Sequence, residues 1–208
     1  MKTPEFLKKQ HNLINGTLHL LIEPLSDEQW LGRPLPDGNL VAFTAWHLVR
    51  VLDSQIHTVY RGLPELQAQE PWSSIPALAH PGVGIGLTLE EADAIGRSLS
   101  KQDLLAYAGA VRASAGAWLD GLDEADLDVM PDLEGNRARG PAVYRTGPYL
   151  RFWPLGPPLD ARPEKPLWLL ISAGTLLHSY QHMGEIEIAA QAVERGSGTR
   201  RSGGLALI

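Results

Sequence analysis

Four stretches of this chain read as long helices, two of them with apolar residues repeating at intervals of three, four and seven, and no other feature restricts the possible fold as much. A helix with such a stripe must bury it against another element, so four long helices point to an all-α bundle. The first stripe is Leu7, Ile14, Leu18, Leu21 and Leu25, in a helix expected from Pro4 to Leu25. The second helix is expected from Leu40 to Arg61, a stretch free of Gly and Pro that stops at Gly62 and Pro64. The third carries Leu104, Ala108, Val111, Ala115, Trp118 and Leu122 behind a cap at Ser100. The fourth takes Pro166 in its first turn and reaches about Arg195, with Leu170, Ile171, Leu177, Ile186, Ala189 and Val193 for the core.

The connections carry their own signals. Ser26-Asp27-Glu28-Gln29 has capping-box order, but Pro34, Pro36 and Gly38 leave room for only a turn or two of helix. Residues 62–86 hold Pro64, Pro71, Pro76 and Pro81 and read as a long connection over the surface, after which Thr88 to Glu91 restarts a short helix. Eight of the 16 prolines fall between Pro131 and Pro166, an arm where helix is not expected and where Ala142 to Phe152 can make a small hairpin around Gly147-Pro148. The expectation is one four-helix bundle domain over 1–195, with the 131–166 arm inside it and a flexible tail at 196–208. Two long connections imply a topology other than simple up and down.

A chain of 208 residues can bury one sizeable core without a staple. Its net charge of −6 and scattered basic residues argue against a nucleic-acid surface, which leaves small molecules or proteins as partners. With no cysteine, any metal site must be built from His, Asp and Glu. Met1 to Gln10 carries Lys2, Lys8 and Lys9 but lacks the apolar stretch of a signal peptide, and no run approaches the ~18 apolar residues of a membrane span. A cytoplasmic protein that does not enter membranes is expected.

His178 and His182 lie four apart on the fourth helix, so their side chains stand about 40° apart on one face and can share a metal ion. Ser179 follows His178, so the pair is not the zinc-protease motif, which needs Glu there. Paired helical histidines are also ordinary surface or capping residues. These two sit among Leu176, Leu177, Met183, Ile186 and Ile188, and buried imidazoles need partners. His47, in Ala45-Trp46-His47-Leu48-Val49, offers a third nitrogen from the second helix. Three neutral imidazoles suit Zn²⁺ or Ni²⁺ and leave positions for water, the pattern of a catalytic rather than a closed structural site.

Two stretches resemble the DinB and YfiT-like superfamily of metal-binding four-helix bundles. The run from Ala45 to Asp53 is similar to that family's second-helix motif, with His47 matching its first ligand. The run from His178 to Ile186 is similar to its fourth-helix motif, two histidines four apart followed by Gly184 and the acidic Glu185. The resemblance implies the bundle fold, a metal held by His47, His178 and His182, and a homodimer. It also implies chemistry of the kind some relatives perform, transfer of low-molecular-weight thiols or isomerisation of thiol adducts. The Pro-rich arm departs from shorter members, so their substrate pockets do not carry over.

Other polar residues are candidates of lower rank. Arg50 and Asp53 can form an inward pair that binds substrate, or an ordinary intrahelical ion pair. Glu185 can be a general base, an acceptor for a ligand imidazole, or a solvated carboxylate. His19 is a reserve ligand, while His11, His57 and His80 rank lower. Trp46, Trp118 and Trp168 are expected in the core, and Trp72 and Trp153 as pocket walls. Tyr144, Arg145, Tyr149, Arg151 and Trp153 are expected to make the arm a lid with aromatic walls and anion-binding donors, surface decoration being the competing reading. The expected function is a metal-dependent enzyme that activates a thiol or water against a small molecule. The alternatives are a stress-associated protein that binds metal or ligand without turnover, and a structural bundle whose histidines are incidental.

Overall fold

A computed structural model of the chain describes residues 2–152 and 164–196. Its bundle helices are α1 (Thr3–Ile22), α3 (Val41–Ser54, continued by a π-helical turn Gln55–Val59 to residue 61), α5 (Lys101–Asp120) and α8. The last opens at Leu167–Leu170, widens into a π-helical stretch Ile171–Leu177 and closes as His178–Gly196. Shorter helices are α2 (Asp27–Trp30), α4 (Leu89–Arg97), α6 (Leu133–Arg139) and α7 (Gly147–Phe152). No strand occurs among the described residues, and none of the described helices is long and apolar enough to cross a membrane.

Contacts along the helices fix their directions. The Thr3 amide meets Glu124 and Arg112 meets Asn12, so α1 and α5 are antiparallel. Arg50 meets Tyr107 while His57 meets Ser114, so α3 and α5 are parallel. The Tyr60 hydroxyl reaches the Leu170 carbonyl while His47 meets His178, which makes α3 and α8 antiparallel. The order is up, down, down, up. The parallel pair α3 and α5 forces residues 62–100 to travel the length of the bundle, which is why that connection is long.

The helix starts follow their caps. Ser26 and Thr88 complete capping boxes with Gln29 and Glu91, and the Ser100 hydroxyl accepts from the Asp103 amide at 3.0 Å. The core gathers Ile14, Leu18 and Ile22 of α1, Trp46, Leu48 and Val49 of α3, Leu104 and Val111 of α5, and Met183 and Ile186 of α8. In a π turn the hydrogen bonds span one residue more, and a carbonyl is released from the ladder. The Tyr60 hydroxyl donates to the Leu170 carbonyl at 2.7 Å and Asn136 to the Val59 carbonyl at 2.8 Å, so both widened turns are satisfied from outside their own helix. Gly174 permits this approach: a Cβ there would lie 2.8 Å from the Tyr60 hydroxyl.

Several expectations need correction. The 131–166 arm holds short helices among its described residues, and Ala142 to Phe152 forms a 3₁₀ turn followed by α7 rather than a hairpin. The prolines flank these helices instead of interrupting them: α6 lies between Pro131 and Pro141 with Asp132 as its cap, and Pro148 sits in the first turn of α7, where its missing N–H costs nothing. Residues 62–86 are not merely a surface strand of chain, because Glu65, Gln67, Ala77, Leu78 and Val83 are buried. Their backbone can enter the core because Asp53 accepts from the Leu66 and Gln67 amides at 3.1 Å each and Trp46 donates to the Ala77 carbonyl. Leu177 is exposed, since the π stretch changes the winding just before it, and Trp168 is also largely exposed. Trp72 packs on Tyr107 and borders the core rather than walling a pocket. Trp153 and the tail beyond residue 196 lie outside the described residues.

Candidate metal centre

The antiparallel crossing of α3 and α8 brings three imidazoles to one point. The Nε2 of His178 lies 3.3 Å from the Nε2 of His47 and 3.1 Å from the Nε2 of His182, and the three ligand atoms are all within 4.8 Å of one another. Two nitrogens bound to one tetrahedral ion at about 2.0–2.1 Å sit roughly 3.3 Å apart, so the spacing fits.

The outer nitrogens settle which form the rings take. His47 Nδ1 faces the Val83 carbonyl, which can only accept, so that nitrogen carries the proton and Nε2 presents a lone pair. His182 Nδ1 lies 2.6 Å from a Glu185 carboxylate oxygen and is fixed the same way. His178 Nδ1 is buried with no hydrogen-bond partner. Three nitrogens therefore converge with at most one proton among them, so at least two lone pairs face one point, an arrangement suited to a cation. Burial first, then the neighbouring His182, lowers His47 to about 4, and burial with its two neighbours lowers His178 to about 2. Both rings are neutral at physiological pH. Phe43 stacks beside His47 at 6.5 Å between ring centres and walls the site on the α3 side.

The remaining candidates separate into groups. Glu185 is at the site, half-exposed, and turned toward the outer face of the His182 ring. Arg50 and Asp53 are wholly buried and belong to a network instead: Arg50 donates to Asp53 at 3.1 Å, Tyr107 at 3.0 Å and Glu65 at 2.7 Å. Tyr144 is buried too, donating to Glu65 at 2.7 Å, so none of these three is open to a substrate in this conformation. Tyr149 does reach the site's margin, because its hydroxyl accepts from the Val83 amide at 2.9 Å. Arg145 donates to the Ala138 and Gly140 carbonyls, within the arm, and Arg151 is exposed. Tyr149 thus links the arm to the loop that backs His47.

His19 is half-buried and outside the cluster, and His11 is buried against Thr175. His57 bridges Asp53 at 2.7 Å and Ser114 at 2.8 Å, the order of atoms in a nucleophile, base and acid chain. Ser114 stands in mid-helix, however, where the neighbouring N–H groups are spent in the helix and cannot hold an oxyanion, so the chain is packing. Sequence reasoning missed Val83, Glu65 and Tyr107. A signal existed for the first: Gly82-Val83-Gly84-Ile85-Gly86 alternates glycine with apolar residues, as a backbone pressed against its surroundings does.

The crystal structure of a conserved protein from Enterococcus faecalis is similar to this one, with a TM-score of 0.66 and 18% sequence identity over 93% of this chain and 98% of that one. At that identity the likeness establishes the fold. No curated protein matches the sequence. The model of the DinB superfamily matches residues 15–147, a span that runs from within α1 into the arm, holds His47 and stops short of His178 and His182. That match covers more than half of the sequence, and the chain belongs to the DinB superfamily.

Proposed function

We propose that the protein holds one divalent metal ion between the Nε2 atoms of His47, His178 and His182 and is a metal-dependent enzyme acting on a small molecule. The observation that carries this reading is the convergence of three ring nitrogens, two of which are fixed as lone-pair donors by what the far side of the ring binds. Membership of a superfamily that generally binds metals supports it further. Zn²⁺ or Ni²⁺ suits such a nitrogen set. A bound ion of this kind lowers the pKa of a coordinated water or thiol to near neutrality.

The chain's own contribution is orientation. Val83 and Glu185 hold two of the rings, and because Glu185 meets His182 on the face away from the cluster, its role is to orient that ring rather than to act as general base. The nucleophile is either water or a low-molecular-weight thiol supplied as co-substrate, as the family resemblance suggests. Cytoplasm is the compartment that provides such thiols. A second reading, binding without turnover, is favoured by one observation: Arg50, Asp53 and Tyr144, which would have recognised a substrate, are sealed inside the protein.

Metal analysis of protein purified without chelator, followed by assays of thiol transfer and of hydrolysis, tests the proposal. The expected result is one ion per chain and an activity lost in His47→Ala, His178→Ala and His182→Ala while helical content survives. One ion without activity across a broad panel favours the binding protein, and absence of Zn²⁺ and Ni²⁺ uptake sinks both readings.

A further inference from the structure

We infer that Tyr149, on the arm, is a positioning residue for the metal centre, and that docking of the arm and binding of metal are coupled through Val83. The inference rests on the metal reading above. The Val83 residue is held on both sides. Its amide donates to the Tyr149 hydroxyl at 2.9 Å, and its carbonyl, in the next peptide plane, accepts from His47 Nδ1. The carbonyl of the 82–83 peptide lies 3.5 Å from the Arg50 guanidinium, so that plane is gripped at both ends.

The loop has no slack around this contact. A Cβ at Gly82 would overlap the Tyr149 hydroxyl. Gly84 adopts φ +98, which only glycine takes readily, and a Cβ there would lie 2.9 Å from the Phe43 ring and 3.0 Å from the Trp46 ring. The segment is therefore clamped between α3 and the arm. Tyr149 is itself buried, packed on Tyr144 with ring centres 5.2 Å apart in a cluster with Val51 and Val83. Burial pushes its hydroxyl above the ordinary tyrosine range, although the Val83, Ile85 and Gly84 amides draw it back, and it stays a neutral phenol.

Removing the hydroxyl leaves the Val83 amide buried without an acceptor. The loop then relaxes, and the carbonyl that orients His47 moves with it. Loss of such an outer partner weakens metal affinity about 10–100-fold. Coupling is reciprocal, so metal must tighten the arm by the same factor by which the arm tightens metal.

The experiment compares Tyr149→Phe with Tyr144→Phe, an arm neighbour whose hydroxyl donates to Glu65 rather than accepting from the Val83 amide. Zn²⁺ affinity is measured by competition with a chromophoric chelator, and exchange of the Val83 amide is followed with and without Zn²⁺. The expected result is an affinity 10–100-fold weaker in Tyr149→Phe only, with Val83 exchange slowed by Zn²⁺ in the wild type and insensitive to it in that variant. Equal affinity in Tyr149→Phe and wild type, or equal weakening in both variants, overturns the role of the arm and leaves the metal centre standing. A wild-type protein that binds no Zn²⁺ overturns the metal reading and this inference together.

Discussion

Glu65 and Arg50 meet at 2.7 Å with both side chains sealed from solvent. Glu65 comes from the crossover and Arg50 from the middle of α3, and the second Glu65 oxygen takes hydroxyl hydrogens from Thr58 at 2.9 Å and Tyr144 at 2.7 Å. Helix, crossover and arm are thereby tied to one carboxylate. Glu65→Ala should destabilise the protein by about 3–5 kcal/mol, because it leaves the guanidinium buried with Asp53 as its sole remaining carboxylate. Urea unfolding measures this, and a loss below about 1 kcal/mol would show that the network relaxes without its centre.

Acid should weaken the metal-free fold over a defined range. Burial lowers His11 to about 4, against about 6.5 in an unfolded chain. Between those values the unfolded chain takes up a proton that the folded chain refuses, so stability climbs with pH across that window and is level above it. Asp53 acts in the same sense at lower pH: burial alone would raise it, but the His57 hydrogen bond and the Arg50 charge hold it below the usual carboxylate range, and its contribution is lost as pH falls through that depressed value. From pH 7.5 to 5, His11 should account for about 2 kcal/mol of lost stability. Urea midpoints at the two pH values should differ less in His11→Phe than in wild type; an equal difference would absolve His11.

Glu185→Ala should lower Zn²⁺ affinity about tenfold while the melting temperature of the metal-free protein stays within a few degrees. The side chain is 49% exposed, so little packing is lost, but His182 loses the acceptor that selects its tautomer. Chelator competition decides the point, with unchanged affinity as the contrary result.

The homodimer implied by the family resemblance has a natural face. α1 and α8 are neighbours, joined by the Tyr180 hydroxyl and Gln10, and between them expose Phe6, Leu13, Leu20, Leu177, Tyr180 and Ile188. We propose that a second copy of the chain covers this face, since exposed apolar side chains gathered on two neighbouring helices mark protein-contact surfaces and the resemblance implies a homodimer. Sedimentation equilibrium should find a dimer that Leu13→Arg with Ile188→Arg converts to a monomer. A monomeric wild type at tens of micromolar would end the proposal.

Much of this molecule was legible in the residues themselves. The four long helices, the caps at Ser26, Thr88 and Ser100 and the spacing of His178 and His182 are local signals and appear where they are expected, with Leu177 of the fourth stripe turned outward instead. His47 joins them because apolar residues around it force α3 to turn that face inward. What could not be read were the long-range partners. Glu65 and Val83 sit in proline-rich chain that looks like solvent-facing loop, and the partners that let such backbone be buried, Asp53 and Tyr149 for its amides and Trp46 for the Ala77 carbonyl, lie on other elements. The arm departs from expectation for a related reason: proline density argues against one long helix, but the spaces between Pro131, Pro141 and Pro148 are long enough for short ones.

The π stretch Ile171–Leu177 makes α8 two helices that are out of phase, joined by surplus chain. In uniform α winding Ile171 and Met183, twelve residues apart, would stand about 120° from each other, yet both are buried in the bundle. The wider turn absorbs the difference and lets the stripe before it and the histidines after it satisfy separate demands. Deleting a single residue there, Ala173 for instance, would give a more regular helix with a fuller set of its own hydrogen bonds. It would also rotate His178 and His182 about a quarter turn past His47, so regularity of the helix and registration of the three nitrogens are competing properties of the same seven residues.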